Sequence, residues 1–258
     1  RSMAYRGAAS RLVYGIERPR IARYEREVAQ RFEEVWLVSR HDRDLLAAQC
    51  PQAVISIVPN GVDFETFFPI GQHAGQFDLL FSGHMRVFHN IDAATYLARD
   101  ILPLVRSQIP QSTLNLVGAD PGPEVQALAA EPGVTVAGFV PDLNGALNDA
   151  AVFVAPLRFA AGVQNKVLEA MAAGRPVVTT SVVNQGLGAQ PGRDLLIADD
   201  TGTIANQIVA LLQDADLASR VAQAGRAFVT SRFSWDAVSQ RMQVVEQQVR
   251  QTRTETSR

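Results

Sequence analysis

Two features of the sequence predict an α/β chain with a doubly wound parallel sheet. From Phe77 onward, short apolar runs alternate with longer segments of helical periodicity. Such βαβα alternation implies parallel strands covered by helices on both faces, with ligands held at the carboxyl ends of the strands. Helix stop signals stand where that arrangement needs them, most clearly at Gly174 followed by Pro176.

The first 34 residues carry eight arginines interleaved with Glu17, Glu25, Glu27, Glu33 and Glu34. Ile21, Tyr24, Val28 and Phe32 recur at helical spacing, which predicts an amphipathic helix over 17–34. Its sharper reading is peripheral membrane association through anionic lipid, but the five acids favour a charged helix packed along one stripe. Val35–Val38 and Val54–Val58 read as short buried strands, with Ser39 capping a helix over Asp42–Gln49. Pro59 and Asn60-Gly61 make a turn, and Phe64, Phe67 and Phe68 are expected to anchor the next segment by burial. The Gly-containing polar stretch Ile70–Gln76 marks a boundary. Residues 1–69 are thus expected to be the tail of one domain plus a linker, and 70–232 a second domain.

Strands are predicted at Phe77–Phe81, Thr113–Val117, Val134–Ala137, Ala151–Ala155, Val177–Thr180 and Asp194–Ile197. Helices are predicted at 91–107, 123–130, 142–149, 163–173, 202–213, 216–229 and 235–250, and the polar tail 251–258 is expected to be disordered. Asn90 and Asp142 are read as N-caps, and Asp199-Asp200 as a helix start rather than a metal pair. Residues 183–188, with Gly186 and Gly188, show neither strand nor helix pattern. The histidines at 41, 73, 84 and 89 have no cysteine cluster nearby, so no metal site is predicted.

Composition narrows the function. At 258 residues and 47% hydrophobic content, the chain buries a substantial core, in one large domain or one and a half. A net charge of −2 and a pI near 6.1 leave no basic footprint, arguing against nucleic acid as partner. The single cysteine, Cys50, excludes an internal disulfide framework, fits a reducing compartment and reads as a structural thiol. No apolar run approaches the ~18–20 residues of a membrane-spanning helix, and no signal peptide is visible. The chain begins at Arg1 inside a helical pattern, which suggests a fragment whose upstream part is missing.

The chemistry concentrates in residues 151–180. A buried strand breaks at Pro156, Gly162 follows, and Val163, Val167, Ala170, Met171 and Gly174 then fall at helical spacing before the next strand. Lys166 is the only lysine in the chain. It occupies the first turn of this helix, where the macrodipole disfavours a cation, and its nearest acid, Glu169, lies at i+3 in the weaker orientation. A bound anion would remove that conflict; the alternative is a solvated lysine on an exposed turn.

Glu169-Ala170-Met171-Ala172-Ala173-Gly174-Arg175-Pro176-Val177-Val178 resembles the nucleotide-binding signature of retaining glycosyltransferases of family four, which have the GT-B fold. That signature begins with an earlier Glu, whose place is taken here by Ala161. Pro156-Leu157-Arg158, Gly162 and Gln164-Asn165-Lys166-Val167-Leu168-Glu169 are similar to a subgroup associated with bacterial exopolysaccharide and exosortase loci. Pro59-Asn60-Gly61-Val62-Asp63 resembles the family's interdomain linker.

The resemblance implies a carboxyl-terminal Rossmann-like domain plus a remnant of the amino-terminal, acceptor-binding domain. Arg158 and Lys166 would neutralise the diphosphate of a UDP- or GDP-sugar, with Gly162, Val163 and Gln164 completing the anion cradle. Glu169 would accept from the ribose hydroxyls. In the loop after the first strand of that domain, Gly83 would allow close approach, and His84 and His89 stand where the family usually carries basic diphosphate ligands; each also has a structural reading. Val140 would meet the nucleobase through its backbone. The implied activity is metal-independent transfer of a hexosyl group, with retention, to a glycan or lipid-linked acceptor in bacterial polysaccharide synthesis, with no tightly bound cofactor. The implied place is the cytoplasm, with the inner face of the plasma membrane as an alternative. The competing readings are a nucleotide-binding module without transfer activity and a nucleotide-sugar epimerase. As acceptor specificity resides largely in the other domain, the chain alone is expected to bind nucleotide yet transfer poorly.

Overall fold

A computed structural model describes residues 8–71 and 76–256 of the chain. They form two compact units: one from the chain up to Pro59 together with Ser239 onward, the other from Asn60–Val238. The segment 60–70 is fastened within the second of these compact units.

The first unit holds α1 (Ala8–Arg31), β1 (Val35–Leu37), α2 (Arg40–Gln49) and β2 (Ile55–Ile57). β1 and β2 pair in parallel, with Trp36 opposite Ser56. Ser39 caps α2 as expected, its hydroxyl accepting from the Asp42 amide at 3.1 Å. The stripe expected on the first helix is corrected. Ile21, Tyr24 and Phe32 are exposed, Val28 is half-buried, and small Ala29 is the residue that packs inside.

The second unit begins with β3 (Phe77–Ser82), followed by α3 (Phe88–Tyr96) and α4 (Leu102–Gln108) with a π-helical turn, Leu97–Ile101, between them. The helix predicted over 91–107 is therefore interrupted. Pro103 lacks the amide proton that the i→i−4 ladder requires, and the wider turn just before it absorbs the irregularity. Next come β4 (Leu114–Val117), α5 (Pro123–Gln126) running into a 3-10 turn, β5 (Val134–Gly138), α6 (Leu143–Asn148) and β6 (Ala150–Ala155). The unit continues with α7 (Asn165–Ala172), β7 (Val177–Thr179), α8 (Ser181–Leu187), β8 (Leu196–Ile197), α9 (Thr201–Gln213) and α10 (Ala215–Phe233). α11 (Trp235–Thr256) starts in this unit and passes into the first.

Two expectations fail here. Residues 183–187 belong to a helix, α8, which is too short to display a period; Gly188, at φ +68°, follows as its C-cap. The polar tail is helical as far as Thr256, while residues 257–258 and 72–75, including His73, lie outside the described residues. Asp142 and Asp200 do act as caps, accepting from the Gly145 and Thr203 amides at 2.8 and 2.9 Å. Gly174, at φ +71°, follows α7 as the stop signal predicts.

All six strands of the large sheet run parallel in the order β5-β4-β3-β6-β7-β8. The chain winds from β3 outward to β5, then returns to β6 on the other side of β3. That reversal puts the topological switch point, where open α/β sheets place ligands, between the carboxyl ends of β3 and β6. The core beneath it is dry: Leu79, Leu80, Phe81, Val152, Phe153 and Val154 have no exposed surface.

The segment 60–70 is held less by its phenylalanines than predicted, Phe68 being 42% exposed. Val62 is buried instead, its amide donating to the Phe233 carbonyl at 2.7 Å. Asn144 and Asn148 present their side-chain oxygens to the amides of Phe68 and Ile70, at 3.1 and 2.9 Å. These two buried side chains thus satisfy backbone donors of a segment that is not itself part of the sheet.

Candidate functional site

At the end of β3 the backbone must pass close to its neighbours. The Gly83 amide donates to the Val117 carbonyl at 3.0 Å. Gly118, at φ +150°, leaves room for this: a Cβ there would stand 1.7 Å from the Gly83 carbonyl oxygen. Gly118 is thus required by the approach of the two chains and is more than the turn residue its position suggests.

Asn90 is not an N-cap. α3 starts at Phe88 after Val87, with no side-chain cap, and Asn90 lies inside its first turn, 4% exposed. Its Nδ2 donates to the His84 carbonyl at 2.9 Å, while its Oδ1 accepts from the Nζ of Lys166. The ammonium also sits 4.9 Å from the centroid of the Phe81 ring. A Cβ on Gly83 would intrude on both groups, 2.9 Å from Asn90 Nδ2 and 2.9 Å from Lys166 Nζ. The first turn of α7, the first turn of α3 and the end of β3 therefore converge at the switch point.

Burial sets the electrostatics of this cluster. It lowers the Lys166 pKa to about 8, with Glu169 pulling the other way. Burial raises the Glu169 carboxyl above its ordinary range, opposed by the charge of Lys166. His89 is pushed down, by burial first and by Lys166 second. Lys166, Glu169 and His89 are thus electrostatically coupled, as a shared site would require. No side chain caps α7: the Gln164 amide group donates to the Ala161 carbonyl at 3.1 Å instead. Val163 is buried and Gly162, at φ +63°, turns the loop into the helix. Gly186 of α8 packs on that turn so closely that a Cβ would lie 2.0 Å from the Gly162 carbonyl oxygen.

Other residues singled out in the sequence stand elsewhere. His84 is exposed and faces Asp120, with Nε2 3.6 Å from a carboxylate oxygen. Asp120 holds a left-handed φ of 55° and also receives Arg86 at 4.0 Å. The Arg158 guanidinium is already engaged: it grips Asp92 through Nε, at 2.9 Å, and through Nη2, and lies 4.9 Å over the Tyr96 ring. Asp92 and Asn90 are two residues apart on α3 and so face different ways, which separates the Arg158 contact from the Lys166 contact. Val140 lies beyond Gly138 in the loop after β5, at the sheet's edge, half-buried beside Phe139, which is 73% exposed.

Sequence reasoning passed over Asn90 as a ligand of Lys166, Phe81 as its platform, Asp92, and the 2.9 Å bond from Asn60 Nδ2 to Asn165 Oδ1 beside Lys166. Each joins residues far apart in the chain. Among the described residues no cluster of three or more His, Cys, Asp or Glu side chains is arranged to hold a metal. A depression of about 560 Å³ lies in the first unit, lined by Phe32, Trp36 and Glu246 among others. It shares no residue with the Lys166 cluster.

The family model for glycosyl transferases group 1 matches residues 76–214, more than half of the chain. No curated protein matches it. The chain is similar in structure to sucrose-phosphate synthase from Thermosynechococcus elongatus, with a TM-score of 0.74 and 21% identity over 90% of this chain and 62% of that one. HepE from Anabaena, solved with UDP and glucose, gives 0.71 and 18% over 88% and 66%. The pneumococcal O-GlcNAc transferase GtfA, solved with UDP and GlcNAc, gives 0.68 and 15% over 88% and 47%. The shared feature at these identities is the fold, and the chain spans less than two thirds of the length of each.

Proposed function

The chain belongs to the group 1 glycosyl transferases, and we propose that its second unit binds the nucleoside diphosphate part of a sugar donor at the β3–β6 switch point. The observation that carries this reading is the convergence of the Lys166 ammonium, the end of β3 at Gly83 and the uncapped first turn of α7 at that switch point. A cation and free helix amides facing one space suit an anion of high charge density. Glu169, one turn further along α7, supplies a carboxylate for ribose hydroxyls.

In the proposed reaction the bond between the sugar's anomeric carbon and the β-phosphate oxygen breaks, and an acceptor hydroxyl oxygen bonds to that carbon. The acceptor's proton passes to the departing β-phosphate oxygen, and the nucleoside diphosphate leaves. Charge grows on the departing β-phosphate oxygens, where Lys166 and the α7 amides are already in place to stabilise it. Arg158 joins them by exchanging Asp92 for phosphate. Val140, Gly162, Val163 and Gln164 contribute backbone contacts, and His89 a neutral one. Transfer proceeds with retention to a glycan or lipid-linked acceptor in bacterial polysaccharide synthesis, at the cytoplasmic face of a membrane. UDP is the first donor nucleotide to test, since HepE and GtfA were solved with it. Ala161, where the family signature carries Glu, favours a second reading in which the unit binds nucleotide without transferring sugar.

Ligand-observed NMR with UDP, GDP and their glucose and mannose conjugates tests the proposal. Saturable binding by the wild type that Lys166→Ala weakens supports it; absence of binding from a folded protein refutes it. Sugar release to water or acceptor then separates the two readings.

A further inference from the structure

We infer that Asn90 is the positioning residue of this site, holding the Lys166 ammonium in place without cancelling its charge; the inference rests on the nucleotide-site reading above.

The two hydrogen bonds of Asn90 fix which way its amide points. The ammonium of Lys166 only donates and the carbonyl of His84 only accepts, so Oδ1 must face the one and Nδ2 the other. The residue is 4% exposed and its carboxamide fills the space beneath Gly83, where a Cβ would stand 2.8 Å from Asn90 Cγ. Close packing thus leaves the amide one orientation, and through it the lysine one position.

The choice of side chain matters as much as its geometry. An aspartate would accept from Lys166 equally well, but its charge would neutralise the ammonium and turn a second acceptor towards the His84 carbonyl. A leucine of similar size would leave the ammonium only the Phe81 ring. The neutral amide is the side chain that restrains the cation and leaves its charge for an anion. The charged and titratable groups that act on Lys166 are Glu169 on its own helix and His89 on α3. His89 is driven towards its neutral form, so Glu169 is the one counter-charge the cluster supplies.

Because Lys166 is the only lysine, lysine-specific 15N labelling yields one Nζ resonance, and its titration reads the ammonium directly. Wild-type protein should titrate near pH 8. Asn90→Asp should move the midpoint up by about one pH unit or more, and Asn90→Leu should move it down, with circular dichroism verifying that each variant is folded. Shifts of opposite sign cannot come from a general loosening of the fold. An unchanged midpoint, or two shifts in the same direction, overturns the inference. In a second arm, Asn90→Asp should weaken UDP about tenfold or more and leave uridine unchanged. Equal losses for both ligands would mark Asn90 as merely structural. If neither UDP nor GDP moves the wild-type Nζ resonance, the nucleotide-site reading fails, while the two titrations still decide whether Asn90 sets the state of the ammonium.

Discussion

The ammonium of Lys166 lies 4.9 Å from the centroid of the Phe81 ring, a charge resting on a side chain that has no exposed surface. Desolvation here outweighs the attraction of Glu169, and the folded-state pKa falls from 10.5 to about 8. The protein therefore carries a half-buried cation at neutral pH that costs folding free energy.

Replacing Lys166 with Met should accordingly stabilise the fold while weakening diphosphate binding. Between pH 8 and pH 10.5 the unfolded chain keeps a proton that the folded chain has lost, so unfolding free energy rises with pH through that window. Below pH 8 the cost is fully present, on the order of 1–3 kcal/mol. Thermal unfolding of both proteins from pH 6 to pH 10 checks this. The melting-temperature advantage of Lys166→Met should be largest near neutrality and shrink above pH 8.

Nucleotide affinity should have the opposite pH profile. An anion beside Lys166 favours its charged form, so UDP binding at pH 8 should take up a fraction of a proton and weaken as the pH rises further. Calorimetry in two buffers of different ionisation enthalpy measures the uptake. Identical apparent enthalpies in the two buffers would exclude Lys166 as the titrating contact.

Gly118→Ala should be more damaging to the fold than Gly83→Ala. The first places a Cβ against a backbone carbonyl at 1.7 Å and at positive φ, and nothing there can yield. A loss of about 3 kcal/mol or more is expected in denaturant unfolding. The second meets Asn90 Cγ and Nδ2 and Lys166 Nζ at 2.8–2.9 Å, side-chain atoms that can shift only by loosening the two hydrogen bonds of Asn90. It should cost about 1–2 kcal/mol, less than Gly118→Ala, and reduce UDP affinity.

Much of the fold could be read from the sequence because its signals are local. The sheet strands are compact apolar runs, and Gly174 with Pro176 ends α7 where a stop signal must. Helix α8 could not be read: seven residues, two of them in Val182-Val183 and one a glycine, show no period, and its reason for existing is the Gly186–Gly162 contact. The site divides in the same way. Lys166 stood out as a lone lysine at the unfavourable end of a helix. Its partner Asn90 is 76 residues distant, and Arg158 is 66 residues from Asp92. At position 90 the sequence offers only a local role, that of a helix cap. The wrong assignment followed from treating a long-range bond as a short-range one.

The grip of Asp92 on Arg158 yields a further expectation. If Arg158 reaches the diphosphate, Asp92→Asn should release it and strengthen UDP binding several-fold, and Arg158→Ala should weaken it by about 1–2 kcal/mol. Isothermal titration of the two variants decides the point. Weakening in Asp92→Asn would instead mean that the pair serves to hold the loop after β6 against α3.

The most direct test of the nucleotide site is calorimetric titration of UDP and GDP, with uridine as control, into wild type, Lys166→Ala and Glu169→Ala. Saturable binding of one diphosphate is predicted, weakened by about 1–3 kcal/mol in both variants, with uridine affinity reduced only by Glu169→Ala. Diphosphate binding that survives both substitutions, or no binding by the folded wild-type protein, would contradict a nucleoside diphosphate site at the β3–β6 switch point.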